Sequence, residues 1–162
     1  MGRKTIDFKH KVYKGHQSLP EPIQKLVIKA KKMTKRAYAP YSNFQVGAAL
    51  QLTDGKVFLG CNQENASYPL CMCAERVALY SYGASGKKSP IKSLVITAHN
   101  PEKPLSSPCM PCGACRQVIQ EYEQRQNKPI DIYVLANNLD SIYLIKGVGN
   151  ILPAAFNQGY LI

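Results

Sequence analysis

Apolar positions along this chain change period several times, and each change marks an element. Ile23 to Tyr38 carries apolar residues at 23, 26, 27, 30, 33 and 37, with lysines on the other faces. That spacing predicts an amphipathic helix, entered through Pro20 and Pro22 and stopped at Ala39-Pro40. Phe44 to Leu52 and Lys56 to Cys61 flank Thr53-Asp54-Gly55, which predicts a β-hairpin. Met72 to Tyr82 has helix composition, Ile91 to Ala98 reads as a buried strand, and Gly113 to Gln126 as another helix. Ile130 to Leu135 and Ile142 to Ile145 read as strands around Asn137-Asn138-Leu139-Asp140, so an antiparallel pair is expected last. Ile151 to Phe156 predicts a short helix or turn, and Thr5 to Tyr13 alternates loosely enough for a short edge strand. The expected order is α-β-β-α-β-α-β-β, an α/β domain.

Length and composition narrow the class. The 162 residues suit one continuous core, and 45% hydrophobic content is that of a globular chain. Apolar runs are too short to span a bilayer. No apolar stretch follows the basic start Met1-Gly2-Arg3-Lys4, so no secretory signal is read and a reducing cytoplasm is expected. There, six cysteines point to metal ligands or free thiols and away from a disulfide frame. The net charge of +11 is uneven. Residues 1 to 36 hold eleven Lys/Arg against Asp7 and Glu21, a net +9, and the remainder carries +2. Residues 1 to 22 are therefore read as a basic extension, and 23 to 162 as the domain. Such a segment can attract a polyanion, although a solvated basic helix face is the commoner meaning.

The chemistry sits at two predicted loop-to-helix junctions. Cys112 and Cys115 are three residues apart at one helix start, so one turn brings their sulfurs to the same side. Cys73 arrives from the other helix start. Three thiolates can hold one Zn²⁺ and leave a coordination position open, which distinguishes a hydrolytic site from a structural knuckle. Glu75, two residues beyond Cys73, can shuttle protons there without ligating. Three thiolates and one Zn²⁺ sum to a negative charge, which weakens the metal as an acid unless something positive compensates. The two helix N-termini contribute, and Arg76 is the expected cation, with Arg116 the weaker candidate. Cys61, Cys71 and Cys109 are read as free thiols, and His10, His16 and His99 as non-ligands.

These residues resemble a known family. Cys73-Ala74-Glu75-Arg76 with Pro111-Cys112-Gly113-Ala114-Cys115-Arg116-Gln117 is similar to the zinc-dependent cytidine deaminases of the small homotetrameric type. Three further stretches, residues 39 to 49, 60 to 69 and 152 to 156, extend the resemblance over about Ile23 to Phe156. It implies a three-layer α/β/α fold with a mixed five-stranded sheet and one zinc per chain. It also implies hydrolytic deamination of cytidine and deoxycytidine, as in pyrimidine salvage. By resemblance, Asn62 and Glu64 hold the ribose hydroxyls, Phe44 walls the base, and Ala66 offers its backbone near the base carbonyl. Tyr68 and Phe156 would act across subunit contacts of a homotetramer with composite sites. Met110 stands where the family commonly has Ser or Thr, and Cys71-Met72 replaces a Gly-apolar pair. Two other readings compete: a deaminase of another aminopyrimidine such as a blasticidin-type antibiotic, and a nucleic-acid-editing deaminase. Asn62 and Glu64 argue against the first. Cys73, where editing enzymes usually have His, argues against the second. A carboxylate at 64 also disfavours phosphorylated substrates.

Overall fold

In the computed structural model, which describes residues 7–161, one mixed sheet is covered on both faces by helices. The elements in chain order are β1 (Lys11–Lys14), α1 (Glu21–Thr34), β2 (Gln45–Leu52), β3 (Val57–Cys61), α2 (Ala74–Ala84), β4 (Ile91–His99), α3 (Gly113–Gln126), β5 (Asp131–Ala136) and β6 (Ser141–Lys146). Across the sheet the order is β1-β6-β5-β4-β2-β3. Only β4 and β5 run parallel; all other neighbours are antiparallel. A parallel pair needs a crossover connection, and α3 supplies it. α1 packs Leu26, Val27 and Ala30 against Ala49, Val95 and Leu135 on one face. α2 and α3 pack Ala78, Leu79 and Ile119 against Ala48, Leu94, Ile96 and Val134 on the other. Alternate residues of one strand thus serve opposite layers, as the pleat requires.

The sheet has six strands where five were expected. The additional one, β1, pairs antiparallel with β6 in the register Lys11↔Leu144 to Lys14↔Ser141. Lys11 and Lys14 are exposed, and only Tyr13 is half-buried. A strand with so little buried pattern is identified by its partner, and lysines on an edge also discourage pairing with other chains. The start of the loose alternation, residues 5 and 6, and the cations Arg3 and Lys4 lie outside the described residues. Ahead of β1, Phe8 stacks on His10 at 4.4 Å, and His10 meets Tyr143 of β6 at 4.6 Å. The second half of the basic segment therefore lies against the domain. Of the helix or turn expected over Ile151 to Phe156, the chain forms turns, flanked by three-residue 3₁₀ turns at Val148–Asn150 and Gln158–Tyr160.

Two glycines set the distance between the layers. A Cβ on Gly60 of β3 would collide with the Ala74 carbonyl oxygen and lie 2.7 Å from the Ala78 nitrogen, both main chain of α2. A Cβ on Gly47 of β2 would collide with the Ala30 carbonyl oxygen of α1 on the opposite face. Neither neighbour is a side-chain tip that could swing away. Replacing Gly60 with Ala is expected to push α2 off the sheet and destabilise the domain by about 2–3 kcal/mol. That corresponds to a drop of roughly 5–10 °C in thermal midpoint. An unchanged midpoint by calorimetry would mean that α2 is not seated where described.

Candidate functional site

The cysteine motifs fall at the two helix starts. Cys73 is the N-cap of α2 and Cys112 the N-cap of α3, both with extended backbone and neither capping with its side chain. Their sulfurs are thereby left free to face each other. Cys73 Sγ lies 3.9 Å from Cys112 Sγ, and Cys112 Sγ lies 3.6 Å from Cys115 Sγ. All three sulfurs fall within 4.8 Å of one another, and no other such cluster of potential ligands occurs among the described residues. Tetrahedral Zn–S bonds of ~2.3 Å place neighbouring sulfurs ~3.8 Å apart. The cluster therefore fits one Zn²⁺. The other three cysteines form no disulfide.

The charge on this cluster is organised before any metal arrives. Cys73 is drawn down to about 5, first by the Cys115 thiol and then by Arg76, against the effect of burial. Cys115 is pushed well above the ordinary thiol range, first by that same interaction with Cys73, then by burial and by Glu75. The hydrogen bond between Cys73 and Cys115 thus moves the two thiols in opposite directions. Arg76 Nη2 donates to Cys73 Sγ at 3.4 Å and reaches the Cys71 carbonyl at 3.5 Å. Arg116 turns elsewhere, donating at 2.8 Å to the carbonyls of both Pro111 and Ile151. The two arginines therefore divide between sulfur and backbone.

Glu75 follows in the first turn of α2 and is 4% exposed. Burial raises its pKa above the ordinary carboxyl range, and the Cys73 charge adds to the rise. It lines a cavity of about 290 Å³ together with Cys73 and Cys112. Phe44, Asn62 and Glu64 line the same cavity, as do Val46, Met110 and Cys109. Of these three, Val46 was not noted in the sequence, Met110 only as a departure from the family pattern and Cys109 only as a free thiol. Met110 packs on the main core as well, and burial raises the Cys109 thiol to about 11. Their participation depends on how the loop before α3 folds back. Cys109 had one visible cue, its place three residues before Cys112.

Asn62 and Glu64 are already employed in shaping the wall. Asn62 Oδ1 accepts from the Val46 N–H at 2.7 Å, and its Nδ2 donates to the Phe44 carbonyl at 2.8 Å. Glu64 accepts from the Tyr41 N–H at 2.9 Å, from the Ser42 N–H at 3.4 Å and from the Ser42 hydroxyl. These bonds hold the turn that carries Phe44. Three residues lie outside the cavity of their own chain: Ala66, Tyr68 at 67% exposure and Phe156 at 57%. Tyr68 meets Tyr41 edge-on at 6.0 Å, and Phe156 stacks on Tyr160 at 5.5 Å.

Fold and sulfur cluster together define a zinc-site α/β/α domain with a small cavity beside the sulfur cluster. The family model for the cytidine and deoxycytidylate deaminase zinc-binding region matches residues 20–128. The cytidine deaminase of Sporosarcina psychrophila is 40% identical over 136 residues, covering 84% of this chain and 92% of that one. The crystal structure of cytidine deaminase from Burkholderia pseudomallei superimposes with a TM-score of 0.71 at 42% identity, covering 82% of this chain and 97% of that one. The enzyme from Mycobacterium tuberculosis gives 0.62 at 32% identity, covering 83% and 97%. The chain belongs to the cytidine and deoxycytidylate deaminase zinc-binding family.

Metal affinity should follow the protons. With Cys115 raised, zinc binding at neutral pH must release at least one proton, so apparent affinity should rise at least about tenfold per pH unit. Arg76→Gln removes the hydrogen bond to Cys73 and should weaken zinc binding by roughly 10–100-fold at any one pH. Competition titrations with a chromophoric chelator at several pH values read both effects. PH-independent affinity, or an unchanged Arg76→Gln variant, would refute this account of the charge.

Proposed function

We propose that this chain hydrolyses the exocyclic C4–N bond of cytidine and deoxycytidine, giving uridine or deoxyuridine and ammonia, as in pyrimidine salvage. The carrying observation is the buried Glu75 carboxyl lining one small cavity with two of the three cluster sulfurs. Cys73, Cys112 and Cys115 would hold the zinc, which supplies Lewis acidity to make a water molecule nucleophilic at neutral pH.

The protein's own groups do the rest. Glu75 takes a proton from the attacking water and gives it to ring N3, then serves the departing amine in the same way. Burial raises its pKa, which favours holding the proton between the two transfers. Burial of that carboxyl also limits competition from bulk water. Arg76 steadies the negative sulfur cluster, as do the two helix N-termini. Phe44 stacks beside the base. Asn62 retains one amide hydrogen and one lone pair, and Glu64 retains acceptor capacity, so both can still meet ribose hydroxyls. The backbone of Ala66 serves the base carbonyl.

Tyr68 and Phe156 bear on assembly. Both are large, exposed and outside their own cavity, and Leu70, Tyr160 and Leu161 are exposed as well. A homotetramer in which such residues complete a neighbour's site accounts for them, and sedimentation equilibrium should return four chains per particle. A monomer at micromolar concentration would remove the composite site. No described helix is long and apolar enough to cross a membrane, and the reading places the enzyme in the cytoplasm, acting on nucleosides with no role for nucleic acid.

Glu75→Ala should retain about one zinc per chain and lose turnover of cytidine by at least about 10²–10⁴-fold. Ammonia release and metal analysis on the same samples test this. Turnover equal to wild type would eliminate Glu75 as the proton carrier.

A further inference from the structure

A second cleft, of about 630 Å³, lies where α1 ends against the sheet. Lys31, Thr34 and Lys35 line it from the end of α1, Gln45 from the start of β2, His99 from the end of β4, and Asn137 from just beyond β5. β4 and β5 are the parallel pair, and open α/β sheets leave ligand crevices outside the carboxyl ends of such strands. The cleft shares no lining residue with the substrate cavity.

Its floor is fixed. The Thr97 hydroxyl donates to Asn137 Oδ1 at 2.8 Å, and Asn137 Nδ2 reaches Thr34 Oγ1 at 3.4 Å. Asn138, also in the lining, exchanges two hydrogen bonds with the Leu105 backbone, which fixes its side chain. The rest of the lining holds unused donors. Lys31 and Lys35 form no ion pair among the described residues, and the side chains of Gln45 and His99 make no hydrogen bond there. No carboxylate lines the cleft. The end of α1 presents about half a negative charge, which two ammonium groups more than offset. Two other lysine-lined clefts differ in this respect. One contains Glu21, paired to Lys25 at 2.6 Å, and the other Asp131, paired to Lys146 at 2.9 Å.

We propose that this cleft binds a phosphate dianion, either the free ion or the phosphate of a mononucleotide, at a site separate from the substrate cavity. Two cations four residues apart on one helix turn, with amide and imidazole groups facing them, suit an anion with several acceptor oxygens.

The test is calorimetric titration of the zinc-loaded full chain with inorganic phosphate and, separately, uridine 5′-monophosphate. Ionic strength is held constant with sodium chloride, and each titration is run with and without saturating uridine. Saturable binding unaffected by uridine is expected. The surface variant Lys31→Gln/Lys35→Gln should weaken it about tenfold or more, with an unchanged thermal midpoint in the absence of ligand. Lys25→Gln/Lys29→Gln, on the same helix but outside the cleft, should bind as wild type. Equal affinity for the two probes identifies the free ion, and tighter binding of the nucleotide identifies the ester. Either probe displaced by uridine, equal weakening in both double variants, or no saturation by about 20 mM overturns the site.

Discussion

Two helices have to begin at the same point in space. α2 and α3 come from opposite sides of β4 in the sequence, yet their N-caps place sulfur atoms 3.9 Å apart. Converging helix N-termini carry like partial charges, so the meeting is favourable only when something negative fills it. The thiolates fill it, and they in turn need the helix ends and Arg76 to remain acceptable in a half-buried site. Each component therefore makes the other tenable. The parallel alignment of β4 with β5 forces α3 to start at the cluster's end of the sheet, and Gly60 lets α2 lie close enough for Cys73 to arrive there.

The same economy appears in the cavity wall. Asn62 and Glu64 leave β3 and immediately hold the main chain on either side of Phe44. A polar pair at this place sets the wall and keeps residual hydrogen-bonding capacity toward the cavity it lines. Removing either side chain would therefore change the shape of the cavity as well as its polarity.

Local pattern made much of this legible. α3 spans the predicted Gly113–Gln126, and the hairpin of β2 and β3 follows its turn signal, because periodicity and turn chemistry are properties of neighbouring residues. β1 was nearly invisible because its stabilisation comes from β6, more than a hundred residues away, and its own side chains are mostly solvated. In the site, the spacing of Cys112 and Cys115 revealed a shared ligand because one helical turn fixes their relation. The cavity lining of Cys109 and Met110 depends on how the loop before α3 folds back, which no period encodes, and that of Val46 on which face of β2 meets that loop. The backbone bonds of Asn62 and Glu64 were likewise beyond reach, since they join segments about 20 residues apart.

Gly47 and Gly60 lie one register step apart on adjacent strands and open toward opposite faces, the first toward α1 and the second toward α2. At that place the molecule is reduced to a single layer of peptide planes pressed between two helices. Water can reach these amides only if a helix lifts away, and lifting either one dismantles half the core. Backbone protons in the middle of β2 should accordingly be among the slowest in the protein to exchange with deuterium, at a rate governed by unfolding of the whole domain and not by local breathing. The sulfur cluster would then sit beside the part of the fold that opens last.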